Sequence, residues 1–573
     1  MSRIPSPREH LDVTDPDAHL GRQEPDVLIV GGSLVGLSTA LFLRLHGVSC
    51  LAVERHPSTA IHPRAGHFQL RTLEILRWAG LEEAVRRKGE EHYLPNGGIN
   101  NVESLAGREI ASYFPNLNAG VDELSPTVRL FIDQDALEPI LRARAAELGA
   151  QLRYRVECTS VTQDADGVTA TLRDLDTGEK RSVRSRYLVA ADGNRSEIRE
   201  QLGIKMRGHG QLSHSVTIYF RADADLGPLL EGRDQGVNYV TNPVLRGFFR
   251  LDRTGNRGFL VVNLVGDTTR PEIVAAYPDA PWANVADTID EGRALGLLRA
   301  AIGVPEIPVA IEDIATWRAV ADSAERYQDR RVLLAGDAAH TMPPNGGFGG
   351  NTGIHDAHNL AWKLALVIDG VAGPGLVDTY DQERRPIGEL TVEQAYARYV
   401  TRVAPYLGTE GMQPLVDDFS MEIGARYNSP AVLLERGDEQ RLHEHPRDSK
   451  GRPGSRAPHI SLFRDRRQLS SLDLFGQSFV LLAAADGEAW LRAGQAASAA
   501  LKAPLDAFVV GGSELRDPEG LFPDAFGIAR TGASLVRPDG VVAWRAADGT
   551  GASVSTMSEV LSSLLFRHDR GGD

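Results

Sequence analysis

Apolar residues occur first as unbroken runs, then as alternations, and the change of pattern divides the chain. "DVLIV", from Asp26 to Val30, is a run suited to a strand covered on both faces. After the glycine turn that follows, Leu34, Leu37, Ala40, Leu41 and Leu45 recur at helical spacing, and Gly47 is placed to end the helix. "VSCLAVE" predicts a second buried strand finishing at Glu54, which completes a βαβ unit. Further on, "DQDALEPILRARAAELGA" again has helical spacing, strands alternate around "GVTATLRD", and "RYLVAADG" is another buried strand ending at an aspartate.

Between about Lys205 and Gln328 the texture becomes short apolar-polar alternation, as in "SVTIYFRAD" and "RGFLVVNLVG", broken by Gly, Pro and Asp. This predicts an antiparallel sheet inserted between two parts of the first domain. The parallel pattern returns at "RRVLLAGDAAH", followed by "PPNGGFGGNTG" and a helix predicted to begin near Thr352 and run through "DAHNLAWKLALVI". A polar, helix-like stretch extends from about Tyr380 to Gly437, and the breaker-rich "HPRDSKGRPGSRAPH" reads as a linker. Beyond it, "FVLLAAA", "LDAFVVGG" and "GASLVRPDGVVAWR" predict strands of a small third domain, the last a hairpin turning at Pro538 to Gly540. The predicted organisation is a loose leader (1–24), an α/β domain in two parts (25–204 and 329–395), an inserted sheet domain (205–328), a helical connector and linker (396–447) and a third domain (448–573).

Composition narrows the class. The apolar fraction of 42% and charged fraction of 24% are those of a globular protein, and no apolar run approaches the roughly 18 residues of a membrane helix. The polar, proline-punctuated first residues lack the apolar core of a signal peptide, so a cytoplasmic location is expected. Two cysteines, Cys50 and Cys158, make neither a disulfide framework nor a thiolate metal site, and no metal cluster is expected from the scattered histidines. A net charge of -15 without a basic run argues against nucleic acid or an anionic membrane as partner.

Three segments carry candidate chemistry. In "VGGSLVGLS", Gly31 and Gly36 match a dinucleotide fingerprint, but Ser33 stands where its middle glycine allows close approach to a pyrophosphate. The serine backbone is expected still to approach the phosphate, with the hydroxyl able to bond a phosphate oxygen. Glu54 falls where an acidic residue accepts hydrogen bonds from a ribose. In "ADGNRSEIR" and "AGDAAH", Asp192 and Asp337 each close a buried run, at the strand ends where α/β sheets bind ligands. Singly, each has a bland alternative: a steric glycine, an Asx-turn, a glycine-rich surface loop.

Taken together, "GDAAHTMPPNGGFGGNTGIHDAHNLAWKLA" with "VDTYDQERRP" resembles the GD motif of FAD-dependent, para-hydroxybenzoate hydroxylase-like class A aromatic hydroxylases, and "ADGNRSEIR" resembles their DG motif. The likeness covers nearly the whole chain after the leader and is greatest to bacterial polyketide hydroxylases of the anthracycline and tetracenomycin type. It implies an α/β fold: a Rossmann-like FAD-binding domain, an inserted antiparallel β-sheet substrate domain and a C-terminal thioredoxin-like domain. That last domain lacks any C-x-x-C here, so contact in a homodimer, not disulfide exchange, is the role expected of it.

The resemblance also implies residue roles. Glu54 would hold the adenosine ribose, Arg64 would lie near the flavin and its phosphates, and Gln134 would contact the cofactor. Asp192 would sit near the pyrophosphate, and Asp337 would bind the ribitol hydroxyls. Pro343 and Pro344 would wall the isoalloxazine, and backbone amides near Gly350 and Asn351 would reach its pyrimidine edge. Physically, a helix N-terminus beside "GGFGGN" would stabilise negative charge on reduced flavin.

The implied reaction is hydroxylation of an aromatic polyketide in antibiotic biosynthesis: NADPH reduces FAD, O2 forms a flavin C4a-hydroperoxide, and its distal oxygen passes to a phenolic ring. The alternatives are Baeyer-Villiger oxygenation of a polyketide ketone and an antibiotic-inactivating hydroxylase; a flavin-binding scaffold without turnover lies in another class. Tyr219, Phe220, Tyr239, Phe248, Phe249 and Trp317 are candidate substrate contacts, although core packing explains most strand aromatics. Tyr239 is preferred, because "QGVNYVTN" resembles the stretch bearing a substrate-side tyrosine in anthracycline hydroxylases. Tyr239 and Pro343 are thus the residues expected beside the reacting atoms.

Overall fold

The computed structural model describes residues 24–233, 236–266, 283–435, 437–438 and 441–567. The predicted leader therefore lies, but for residue 24, outside the described residues. Helices are labelled here as α1 (Leu34–Leu45), α2 (Leu70–Trp78), α3 (Gln134–Glu147), α4 (Phe348–Ile368), α5 (Gly375–Arg402) and α6 (Asp418–Ile423).

Two large sheets organise the first 400 residues. The Val27–Val30 strand lies at the centre of a six-stranded sheet, parallel to Cys50–Glu54 on one side and Tyr187–Ala190 on the other. Gln151–Tyr154 and Val332–Leu334 extend it in parallel, and Gln328–Asp329 adds an antiparallel edge. All four residues of Val27–Val30 are buried, as an unbroken apolar run between helical layers requires. Helices α1 and α4 pack on each other over this sheet.

The second sheet has eight strands in the order His340–Thr341, Val309–Ala324, Met206–Ala222, Arg257–Val265, Leu245–Leu251, Val237–Thr241, Ile99–Val102 and Glu109–Phe114. The last two fall within the predicted first part of the α/β domain, so the sheet domain recruits residues from outside 205–328. Ile99–Val102 pairs in parallel with Val237–Thr241, a long-range pairing that no local turn announces.

The third unit is a four-stranded sheet in the order Leu505–Val509, Phe479–Ala483, Ala533–Val536, Val542–Ala546, with a hairpin turn closed by the Gly540 amide on the Arg537 carbonyl, around the predicted Pro538 to Gly540. The segment before it corrects the sequence expectation. "HPRDSKGRPGSRAPH" is no loose linker: Arg456 is buried and gives Glu74 of α2 hydrogen bonds of 2.9 and 2.5 Å. Buried charge likewise fixes the hairpin turn. Arg537 donates to both oxygens of Glu383 on α5, at 2.6 and 2.9 Å, and Lys363 on α4 meets the same carboxylate at 2.8 Å. Removing one partner from such a cluster would strand a buried charge, so it locks the third unit to the first.

Candidate active site

At the end of Val27–Val30, Gly31 turns with φ +110°, and a Cβ there would lie 2.1 Å from the Ala191 carbonyl oxygen. A residue with a side chain could not combine that conformation with that closeness. Gly36 serves a different contact, for its Cβ would fall 1.8 Å from the Gly31 carbonyl oxygen. The first turn of α1 carries no acidic side chain and no side-chain cap, so its amides remain available to an anion. Glu54 braces this turn: its Oε2 accepts the Gly32 amide and its Oε1 the His56 amide, each at 2.8 Å.

Ser33 departs from expectation. Its hydroxyl donates to Glu138 Oε1 at 2.5 Å and accepts from Gln134 Nε2 at 3.0 Å, while Gln134 Nε2 also reaches Glu138 Oε1 at 2.7 Å. Glu138 on α3 is fully buried and also accepts the Ala60 amide at 2.7 Å. The serine proton is therefore committed to a buried carboxylate, a strong acceptor, and what Ser33 offers outward is its backbone. Gln134 closes the same wall, its amide bonded to the Ala65 carbonyl at 2.8 Å.

Gly31, Ser33, Glu54 and Gln134 border one cavity of about 1200 Å³, which also takes in Arg64, Asp192, Asp337, Pro343, Pro344, Gly350 and Tyr239. Gly36 and Asn351 are the predicted site residues outside its lining. Asp192 follows its strand as predicted; Oδ2 accepts the Ile198 amide at 3.3 Å, while Oδ1 is buried without a protein partner. Desolvation pushes its carboxyl above the usual range. Asp337 is exposed to the open cavity, and desolvation by its surroundings raises its carboxyl above the usual range, against His340 and Arg64. Beneath it, buried Asp356 on α4 accepts the Gly336 amide at 3.0 Å, His340 Nε2 at 2.7 Å and Arg384 Nε at 2.8 Å.

Helix α4 begins at Phe348, four residues earlier than predicted, after Gly347 in the left-handed region at φ +68°. The shift places Gly349 and Gly350 in the first turn at the cavity wall, where the unpaired amides of a helix start are available to an anionic group. The Asn351 side chain points elsewhere. It accepts the Gln69 amide at 2.9 Å and Thr72 Oγ1 at 2.6 Å, and donates to the His67 and Gly347 carbonyls at 2.9 and 2.7 Å. It is a brace between the glycine-rich loop and the segment preceding α2. His358 is buried and His355 partly buried in α4, and desolvation drives both imidazoles well below the usual value.

At the other end the cavity is aromatic. Strand alternation sends Tyr219 and Phe248 to its wall with Tyr239, Phe259 and Trp317, but turns Phe220 and Phe249 into the core beneath the sheet. Those two candidates are therefore packing residues. The Tyr239 hydroxyl lies 3.4 Å from Arg402 Nη1 and 3.5 Å from Asn345 Nδ2, and the Arg402 guanidinium stands 4.5 Å over Tyr113 and 5.5 Å over Tyr239. Arg402, His67 and Glu422 also border the cavity and were not singled out in the sequence. His67 is held neutral: burial, with Arg129 and Arg250 nearby, pushes its imidazole down to about 3.

The lining fits FAD on this structure's own features: the glycine cradle that a Cβ would fill, the orphaned Asp192 oxygen, and two helix N-termini at one cavity. The volume exceeds the usual ligand pocket, leaving an aromatic chamber beyond the cradle.

Comparison with known proteins agrees. Residues 24–395 match the family described as FAD binding domain, and residues 450–566 match aromatic-ring hydroxylase, C-terminal. The 4-methyl-5-nitrocatechol 5-monooxygenase of Burkholderia sp is 56% identical over 548 residues, 95% of this chain and 98% of that protein. Aklavinone 12-hydroxylase RdmE of Streptomyces purpurascens is 40% identical, over 95% and 99% of the two chains. The structure of aklavinone-11 hydroxylase with FAD and aklavinone superposes with a TM-score of 0.86 at 38% identity, covering 96% of this chain and 100% of that one. The chain belongs to the FAD-binding aromatic-ring hydroxylases and is a flavin-dependent aromatic monooxygenase.

Proposed function

We propose that this enzyme uses NAD(P)H and O2 to place one oxygen atom on a small, hydroxylated aromatic ring, of the substituted catechol class. The observation that carries this is the Tyr239 and Arg402 pair in the aromatic chamber: a ring-stacking wall with one hydroxyl and one guanidinium suits an electron-rich ring bearing anionic oxygen. The 56% identity to a nitrocatechol monooxygenase supports the same class.

Bound FAD, reduced by NAD(P)H, would supply the activation of O2, one atom of which goes to the ring and the other to water. The protein's residues do the rest. Gly31, the first turns of α1 and α4, Asp192 and Asp337 bind and orient the cofactor, with Glu54 and Arg64 at its adenosine and phosphate side. Pro343 and Pro344 wall its ring, and Tyr219, Phe248, Phe259 and Trp317 exclude water from the chamber. Tyr239 and Arg402 hold the substrate's oxygen substituent, favouring the phenolate that attacks an electrophilic oxygen.

The second reading is the polycyclic polyketide, favoured by the size of the cavity and by relatives such as tetracenomycin A2 monooxygenase-dioxygenase of Streptomyces glaucescens, 38% identical. A panel of catechols, nitrocatechols and aromatic polyketides tests both, with stimulated NAD(P)H oxidation as readout and mass spectrometry for the product. Selective turnover of catechols is expected; selective turnover of polycycles would give the second reading, and a lactone product would indicate Baeyer-Villiger chemistry.

A further inference from the structure

We propose that Glu422 is the proton acceptor for the ring hydroxyl of the bound substrate, and that it hands this proton to a second, smaller cavity. The inference rests on the aromatic chamber holding a phenolic ring, as proposed above. The second cavity, about 50 Å³, lies among α4, α5, α6 and the hairpin turn, bordered by Arg71, His355, Asn359, Arg384, Tyr427 and Asp539. At ~10–15 Å³ needed for a water, it has room for a few, and the Asn359 Oδ1 on its wall has no protein partner.

Among the described residues, Gln69 and Glu422 border both cavities. Gln69 does not titrate, and its side-chain amide is bonded to the Gly346 carbonyl at 3.1 Å. Glu422 is thus the titratable group common to both spaces. Arg129 Nε donates to its two oxygens at 2.8 and 2.9 Å, and the Leu70 amide donates to Oε2 at 3.2 Å. Oε1 accepts one bond, from Arg129, and keeps a second lone pair for a ring hydroxyl, either direct or through one water.

The charges around Glu422 come from several elements. Arg129 precedes the Leu130–Phe131 strand, and Asp418 shares α6 and pairs with Arg398 of α5 at 3.2 Å. Arg402 and His67 lie toward the large cavity; Arg71, Arg384, Arg456, His355 and Asp539 lie across the small one. Burial pushes the Glu422 carboxyl up to about 7, Arg129 pulling against it and Asp418 adding to the rise. Buried Glu74, by contrast, is pulled down to about 2 by Arg456 against its own desolvation. Glu422 therefore changes protonation in the range where a general base works at neutral pH.

In the proposed step the ring O–H bond breaks and a carboxyl O–H bond forms at Glu422; no electrons change owner. The ring becomes a phenolate, more reactive toward electrophilic oxygen, facing Arg402. The carboxyl becomes neutral and later releases its proton to water or polar groups of the small cavity.

The test uses FAD-loaded wild type, Glu422→Gln and Glu422→Asp with a catechol series of graded acidity, recording kcat against pH. Wild type should lose activity below about pH 7 with a weakly acidic catechol. Glu422→Gln should lose that limb and fall by about 100-fold with this substrate, yet by less than about fivefold with nitrocatechols already ionised at neutral pH. Glu422→Asp should keep a displaced limb. Equal losses across the series, or an unchanged limb in Glu422→Gln, would overturn the proposal. If Glu422→Gln fails to bind FAD, the Asp variant decides: an undisplaced limb overturns the proposal and a displaced one supports it. A wild type that hydroxylates no phenol would instead defeat the proposed function.

Discussion

Replacing Gly31 by alanine should abolish tight FAD binding while leaving a folded protein. A Cβ at this position would lie 2.1 Å from the Ala191 carbonyl oxygen and 2.6 Å from its carbon, at φ +110°. The conformation alone costs about 1–3 kcal/mol in a residue with a side chain. The contact must also open by roughly 1 Å to reach an ordinary carbon-oxygen separation, and the neighbour is strand-end backbone that cannot swing away. A shift of that size carries amides from about 2.9 Å to nearly 4 Å from a phosphate oxygen, beyond hydrogen-bonding range. Losing two such charge-assisted bonds, at about 1.5–3 kcal/mol each, raises the FAD dissociation constant by roughly 10²–10⁴-fold. Flavin fluorescence titration of apoprotein measures it, with Gly47→Ala as control. Gly47 shares the left-handed conformation, φ +81°, but has nothing within 4 Å, so it reports strain without the close approach. FAD affinity in Gly31→Ala within about threefold of wild type would refute the cradle.

Three further outcomes are expected. Tyr239→Phe should bind FAD normally but divert NAD(P)H into hydrogen peroxide, losing about 1 kcal/mol of substrate binding; unchanged coupling measured by peroxide assay would remove its role. Ser33→Gly should lower stability by about 1 kcal/mol, through the lost bond to buried Glu138, and change FAD affinity less than about fivefold; a larger affinity loss would restore the hydroxyl-to-phosphate contact. Docking of the third unit should be acid-labile: Glu74, moved from 4.5 to about 2, contributes on the order of 3 kcal/mol above pH 4.5 that is lost as pH falls toward 2. Thermal unfolding against pH in wild type and Arg456→Met measures it, and a variant with the same acid limb as wild type would contradict the assignment.

The cofactor end was legible in the sequence because its parts are local. A buried run, a glycine turn and a strand-end acid lie within thirty residues of each other at Gly31 and Glu54, and the strands before Asp192 and Asp337 repeat the device. The ring end was less legible. "INNV" is half asparagine and gives no strand alternation; its pairing comes from Val237–Thr241, distant in the chain. Arg402 lies in a polar helix whose sequence does not say which arginine meets Tyr239. The start of α4 was misplaced because glycine is a poor helix former, yet at Gly350 a Cβ would crowd Leu34 and Ala65 at 3.0 and 3.1 Å, so packing overrides propensity. The segment read as a linker has a linker's composition, and its buried Arg456 is explained by Glu74 on a helix some 380 residues earlier.

The measurement that tests the central claim most directly is the purified protein's flavin content, together with its NAD(P)H oxidation on adding a substituted catechol. A yellow protein with one FAD per chain, stimulated NAD(P)H oxidation and a product richer by one oxygen atom are predicted. A colourless preparation that cannot be reconstituted with FAD would contradict the account.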